Sequence, residues 1–246
     1  MEVHHHPNVE KKNFKEYLLE FLMIFLAVTM GFFAESFREH LVNSEKEQHY
    51  AESLYDDLKK DTVHLTTTIS QQEMLIQKMQ NAVDINMNSL RDTAYQRLFY
   101  SNFIYAYEWV PVFIRNDATI TQLKSAGGFN VISNHSLADS ISRLDNYFDR
   151  IKYNTDWYIK SCDELIRTSN EFIIIQKISL DSTTLHLPPV AKIFSNYDDR
   201  MLVPVYNNLK IQQSMLDLLV FLEKNYIKKS ISILDLLKKE YDLKSE

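Results

Sequence analysis

Fourteen consecutive residues without a charge, 21–34 (FLMIFLAVTMGFFA), set the first constraint on this chain. A run that apolar has to lie in a protein core or in a lipid bilayer. Adding Tyr17, Leu18 and Leu19 before it and Ser36 and Phe37 after it gives about 21 residues. At about 1.5 Å per residue that is about 31 Å of helix, enough to cross the hydrocarbon. The predicted anchor is residues 14–37, within a membrane segment 13–40, with Glu20 and Glu35 near the two boundaries. A carboxylate there can snorkel and costs far less than one at the midplane. A secretory leader needs a small-residue cleavage site, and GFFAESFREH is a poor one. A helix lying in the membrane plane needs a continuous polar face, which 21–34 lacks.

Lys11, Lys12 and Lys15 precede the apolar run, and Arg38 and Lys46 follow it. The slight excess predicts residues 1–12 as a flexible cytoplasmic tail and residues 41–246 as an extracytoplasmic domain. At 100° per residue, Glu20, Ile24, Ala27, Gly31, Ala34, Glu35 and Arg38 share one side of the helix. Ala27 and Gly31 form a small-xxx-small pair that lets two backbones approach. That side is the expected oligomer face, with Glu35 and Arg38 able to pair within or between helices.

Three glycines and five prolines in 246 residues leave few tight turns, so long helices with few connections are expected beyond the anchor. The fold class that follows is all-α: an N-terminal transmembrane helix continuing into an antiparallel bundle of long helices. From 43 to about 90, Thr62, Ile69, Ile76, Val83 and Leu90 recur every seven residues, as do Leu58, Leu65, Gln72, Met79 and Asn86. Tyr95, Phe99, Phe103 and Tyr107 form a stripe at a spacing of four, read as core packing, with an aromatic ligand pocket as the alternative. Pro111 ends that helix. Asn116 or Asp117 then caps a short helix to about Ala126, and Gly127-Gly128 stops it, with Phe129, Val131 and Ile132 pinning the turn. Ser133 or Asn134 starts a helix expected to pass Trp157 and reach about Lys177. Residues 179–189 read as a loop and 196–204 as a second break. A final helix is expected from about Val205 to Tyr241, with Leu209, Leu216, Val220, Ile227, Leu234 and Leu237 inward. Its charges, Glu223, Lys224, Lys228 and Lys229, exclude a second membrane span.

Two stretches carry a resemblance. One is the opening, EVHHHPNVEKKNFKEYLLEFLMIFLAVTMGFFAESFREH, followed by YAESLYDDLKKD; the other is ITQLKSAGGFNVISNHSLADSISRLDNYFDRI. Together they resemble a group of single-pass membrane proteins of Bacteroidota classed as a domain of unknown function. The matching residues are Leu123, Ser125, Gly127, Ile132, Leu137, Ile141 and Tyr147, with Phe148 where a second tyrosine is usual. Gly128 stands where the pattern has Asn. Residues 150–246 carry no motif of that group. The resemblance implies a helical extracytoplasmic domain at a bacterial inner membrane and no particular activity.

Catalytic signatures are missing from the sequence. There is no phosphate-binding glycine loop, no G-x-S-x-G and no CxxC. His4, His5 and His6 are a weak metal-binding candidate on the tail; His40, His49, His64, His135 and His186 lack ligand spacing. Cys162 is the one cysteine, so no internal disulfide forms. Asp56-Asp57 and Asp198-Asp199 read as solvated faces or caps. No cofactor is expected, and a net charge of −6 without a basic block argues against nucleic acid. Expected partners are the bilayer, further copies of the chain and another membrane or envelope protein. The leading functional expectation is a membrane-anchored, oligomeric helical scaffold or sensor. The alternatives are a pore-forming or ion-coupled subunit using Glu20 and Glu35, and an enzyme with an unrecognised metal-dependent site.

Overall fold

The computed structural model describes residues 13–108, 110–125, 127–174, 179–181, 184–186 and 193–243. Among them are five α-helices: α1 (Phe14–Val83), α2 (Thr93–Glu108), α3 (Ala118–Ser125), α4 (His135–Ser169) and α5 (Asp199–Glu240). The fold is all-α, with one small antiparallel ribbon of β1 (Ser179–Asp181) and β2 (Thr184–His186). The chain divides into two compact units after Tyr50. In the first, Phe21, Ile24, Phe25, Phe32, Phe33 and Phe37 are all 55–73% exposed. The Thr29 hydroxyl donates to the Phe25 carbonyl at 2.7 Å, so the hydroxyl in the apolar run is satisfied within its own helix. This stretch of α1 is long and apolar enough to cross a membrane.

The second unit is a bundle built on heptads. On α1 the buried positions include 51, 54, 58, 61, 65, 68, 72, 75, 79 and 82, in alternating steps of three and four. On α5 they include 202, 205, 209, 212, 216, 219, 223, 226, 230, 233 and 237, with the same alternation. Such spacing keeps one seam facing its neighbours along the whole helix. The expected row Leu58, Leu65, Gln72, Met79 is buried, but its companion is displaced by one residue. The observed companion is Leu54, Asp61, Thr68, Leu75 and Ala82; of the expected row Ile69 and Leu90 are buried, while Thr62, Ile76 and Val83 are half-buried. On α5, Tyr226 and Ile233 are buried where Ile227 and Leu234 were expected. On α5 the expected Leu209, Leu216, Val220 and Leu237 are buried; on α1 the polar Asp61 and Thr68 occupy core positions next to the residues expected there.

Side-chain contacts fix the chain's course in this unit. Lys78 lies over the Tyr105 ring, Gln72 bonds the Pro111 carbonyl, Asp61 takes Asn116, and Asp57 takes Thr119. As the chain runs forward from α2 through α3, its partners on α1 run backward. The connection is therefore one descending element, helical at both ends and irregular between. Asn208 bonds Thr168 and Gln212 bonds the Ser161 carbonyl, so α4 and α5 are antiparallel. Lys210 bonds Gln80 and Lys224 bonds Glu73, so α5 also descends against α1.

Several helix ends differ from expectation. α1 stops at Val83, and a 3-10 turn at Met87–Arg91, capped by Asn86, follows it. α4 ends at Ser169, not near Lys177, because Phe172, Ile173 and Ile174 leave the helix to pair with Ile193–Ser195 backbone: the Ile174 amide donates to Ile193 at 2.8 Å and the Ser195 amide to Phe172 at 2.8 Å. β-branched residues suit that extended pairing. Within the stretch expected to be a loop, β1 and β2 pair; Pro188 and Pro189 lie outside the described residues. α5 begins at Asp199, with Pro204 inside it. The Asp198 side chain accepts from the Arg200 amide at 2.9 Å and caps the helix upstream of the proline. Pro204 sits on the exposed face, where the carbonyl it leaves unbonded can reach water.

The turn between α3 and α4 follows the sequence reading closely. Gly127 has φ +63°, the left-handed conformation that glycine adopts at low cost. A Cβ on Gly128 would sit 3.0 Å from the Leu123 Cα, so the Leu123 backbone would have to give by a few tenths of an ångström. Ile132 is buried, and Asn134 caps α4 by accepting from the Leu137 amide at 3.1 Å. Gly128→Ala is expected to destabilise the protein by about 2 kcal/mol through overpacking, against about 1 kcal/mol for Gly127→Ala. Equilibrium urea unfolding followed by helical circular dichroism tests the order; a Gly128→Ala protein as stable as the parent would contradict it.

Candidate functional site

Residues 110–117 form a strap with no regular secondary structure. Its anchors on α1, Gln72 and Asp61, are eleven helical residues apart, about 16 Å. The strap covers that distance in the five steps from Pro111 to Asn116, which a chain manages only when nearly extended, at about 3.3 Å per residue. Side chains alternate along such a strand. Pro111, Phe113 and the Arg115 guanidinium are buried, while Ile114 is 72% exposed.

A strap pressed into a core brings backbone groups that need partners. Two polar residues of the α1 seam supply them. Gln72 Nε2 donates to the Pro111 carbonyl at 3.1 Å. Asp61 Oδ1 accepts from the Asn116 amide at 2.9 Å and from its side chain at 2.7 Å. The Thr119 hydroxyl donates to Asp57 at 2.6 Å where α3 begins. Burial pushes the Asp61 carboxyl up, opposed by the two Asn116 hydrogen bonds and by Arg115.

Arg115 is the strap's buried cation. Its Nη1 lies 2.9 Å from Asp145 Oδ1 of α4, and its guanidinium sits 4.1 Å above the Phe148 ring. Lys124 of α3 reaches the other Asp145 oxygen at 2.7 Å. Burial raises the Asp145 carboxyl, but Lys124 and Arg115 together outweigh it and hold the group below the usual carboxylate range. Phe113, Phe148 and Tyr226 pack ring against ring at 5.8–6.0 Å around this centre. The Tyr226 hydroxyl faces Arg115 without an aligned hydrogen bond, and its titration is pushed upward by burial.

Glu223 is fully buried in the α5 seam. Its Oε1 accepts from Gln72 Nε2 at 3.1 Å, so one amide group holds both the strap and this carboxyl. Glu223 Oε2 and Gln72 Oε1 have no hydrogen-bond partner among the described residues. Burial pushes the Glu223 carboxyl up to about 7, against a smaller lowering by Gln72.

The residues singled out from sequence fall into separate groups. On the anchor face, a methyl group placed on Gly31 would meet nothing within 4 Å, and Glu35 pairs with Arg38 of the same helix at 3.0 Å. The motif residues Leu123, Gly128, Ile132, Leu137 and Ile141 are buried and build the α3–α4 turn; Ser125 is exposed, and Tyr147 carries Arg150 and Lys229 over its ring. Phe99 and Phe103 are fully buried, and Phe99 stacks on Tyr206 at 5.5 Å, the core packing expected; Tyr95 is exposed and the Tyr107 hydroxyl donates to Asn170. Cys162 is buried, and its thiol is pushed up to about 11 by that burial, which makes it a poor nucleophile. His4, His5 and His6 lie outside the described residues, and no metal-binding cluster occurs among those described. Asp198 is a cap, as read, but Asp57 holds Thr119 rather than facing only solvent. Sequence reasoning missed Asp61, Gln72, Arg115, Asp145 and Glu223 as a group. The available signal was the period of two in Pro111, Phe113 and Arg115, which starts at the helix-ending proline itself.

Two opposite pH dependences follow. Glu223 holds its proton in the folded protein to higher pH than in the unfolded chain, so its contribution is present at low pH. It is lost as pH rises from about 4.3 to about 7. The loss is on the order of 3 kcal/mol at about 1.4 kcal/mol per unit. Asp145 works the other way: its contribution is lost as pH falls below the unfolded carboxylate range. Urea unfolding across this range should show Glu223→Gln flattening the decline toward neutral pH. Asp145→Asn, which strands Arg115, should cost about 3 kcal/mol at neutral pH. A Glu223→Gln protein with the parent's pH profile would refute the first expectation, and an unchanged midpoint in Asp145→Asn the second. Comparison of the chain with protein-family models, with curated proteins and with solved structures found no match.

Proposed function

We propose that this chain is a membrane-anchored helical module that acts by assembly, as a scaffold or sensor, and not by catalysis. The observation that carries the reading is the exposed apolar surface of α1 between residues 14 and 37, which nothing in the described chain covers within its own unit. So much contiguous apolar surface is stable in lipid and prone to aggregation in water. The lysine excess before the span favours a cytoplasmic N-terminus, which puts the bundle on the periplasmic side of a bacterial inner membrane. The open surface at Gly31, with Ala27 one turn away, supports close helix–helix contact between copies. The buried charges of the bundle support a structural role: Arg115 and Asp145 are committed to each other, as are Asp61 and Asn116.

The expected outcome of alkaline carbonate extraction is that the full-length protein stays with the membrane pellet. Crosslinking in those membranes should trap an oligomer that Gly31→Ile reduces several-fold. Release into the carbonate supernatant would overturn the anchor. An oligomer insensitive to Gly31→Ile would overturn the assembly face and leave the anchor standing.

A further inference from the structure

The bundle holds a carboxyl that its packing does not need as a charge. Glu223 sits in the seam of α5, fully buried, and receives one hydrogen bond, from Gln72. The same Gln72 amide holds the strap through the Pro111 carbonyl. Two acceptor atoms of this pair, Glu223 Oε2 and Gln72 Oε1, are buried without a donor among the described residues. A single proton on Glu223 adds a donor to a pair that otherwise buries two unpartnered acceptor oxygens. Ionised, the same carboxyl is a buried charge with one donor, an arrangement that favours any state in which water reaches it.

We propose that Glu223 and Gln72 form a proton-operated latch: the neutral pair keeps the strap, residues 110–117, seated in the bundle, and ionisation of Glu223 releases it. The strap is the element able to move. It has no helix or sheet of its own, and on α1 its backbone is held at Gln72 and at Asp61. Its release uncovers the apolar groove filled by Phe113 against Phe148 and Tyr226. The position of the carboxyl near neutrality supports the latch without defining it.

The charged and titratable groups around the latch include Asp61, Arg115 and Tyr226, of which Asp61 Oδ2, Arg115 Nε and Nη1 and the Tyr226 hydroxyl have no aligned hydrogen bond among the described residues. On α1 and α5, Glu73 and Lys224 pair with each other at the surface at 2.6 Å. On the strap, Arg115 faces Tyr226 and is held by Asp145 of α4, which Lys124 of α3 also binds. His64 of α1 rests its ring on Phe113 and is exposed, and Asp61 holds the far end of the strap. His64 and Asp61 are the groups whose titration a test has to separate from that of Glu223.

Hydrogen exchange read by mass spectrometry, on the full-length protein in lipid nanodiscs, makes the separation. Protection of strap amides is measured at about pH 5 and about pH 7.5, each corrected for intrinsic exchange, with α4 amides as the internal reference. The latch requires strap protection to fall about tenfold or more at the higher pH and to lie well below α4 protection at both values, because the strap opens without the bundle unfolding. Glu223→Gln, which keeps the shape and stays neutral, should hold the strap closed at both values. Equal strap protection in the parent protein at the two pH values overturns the proposal, and this needs no variant to fold. So does strap protection equal to that of α4 at both pH values, which would mean that the strap opens only when the whole bundle unfolds. A pH dependence that survives in Glu223→Gln also overturns it and assigns the effect to His64 or Asp61.

Discussion

The compact unit is organised by the need to satisfy a stretch of bare backbone inside a helical bundle. Helices bond their own amides and carbonyls, so packing them together asks only for apolar surface. The strap at 110–117 does not, and its carbonyl at Pro111 and amide at Asn116 have to find partners elsewhere. Asp61 and Gln72 stand at core positions of α1 for that reason. An apolar residue at either place would pack as well and leave a backbone group orphaned, at about 1–3 kcal/mol each. Polar residues in the seam are therefore the matching half of the irregular segment.

The three buried carboxyls of this region differ in how their charge is balanced. Asp145 has two cations, and their attraction exceeds the burial penalty. Asp61 has neutral donors from Asn116, which offset burial incompletely. Glu223 has one amide and moves furthest toward the neutral form. Buried ion pairs contribute little net stability against apolar replacements, because desolvation consumes most of the Coulombic gain. What Arg115 and Asp145 contribute is position: a guanidinium stacked on Phe148 and tied to a carboxylate on α4 has one place to sit.

Much of this fold was legible in the sequence, and the failures have a common cause. The helical class followed from scarce glycine and proline. The turn at Gly127 and Gly128 was legible because both residues are local signals, one needing a left-handed φ and the other a close approach to Leu123. Part of the second α1 row was assigned to the residue next door, because Asp61 and Thr68 occupy buried places that an apolar pattern gives to neighbours, and on α5 Ile227 and Leu234 were read in place of Tyr226 and Ile233. A polar residue in a seam is invisible to periodicity until its partner is known, and the partners of Asp61 and Glu223 lie 55 and 151 residues away. The end of α4 and the start of α5 failed for a related reason: the pairing of Phe172 to Ile174 with Ile193 to Ser195 and the cap at Asp198 overrode local preference.

Heptad seams carry a weakness that the polar residues correct. A helix with a uniform apolar seam packs nearly as well after sliding by one heptad, about 10 Å, so apolar burial alone fixes the face and not the register. α1, α4 and α5 all carry such seams over many turns. Gln72 meets Glu223 in one register only, and Asp145 meets Arg115 in one register only, because a slide of seven residues buries each without its partner. The Gln72–Glu223 pair thereby locks α1 against α5, and the Asp145–Arg115 pair locks α4 against the strap. In a unit of this kind, a change in the charge of one seam residue acts on register and strap together, which is why a single carboxyl in the α5 seam can matter to the whole bundle.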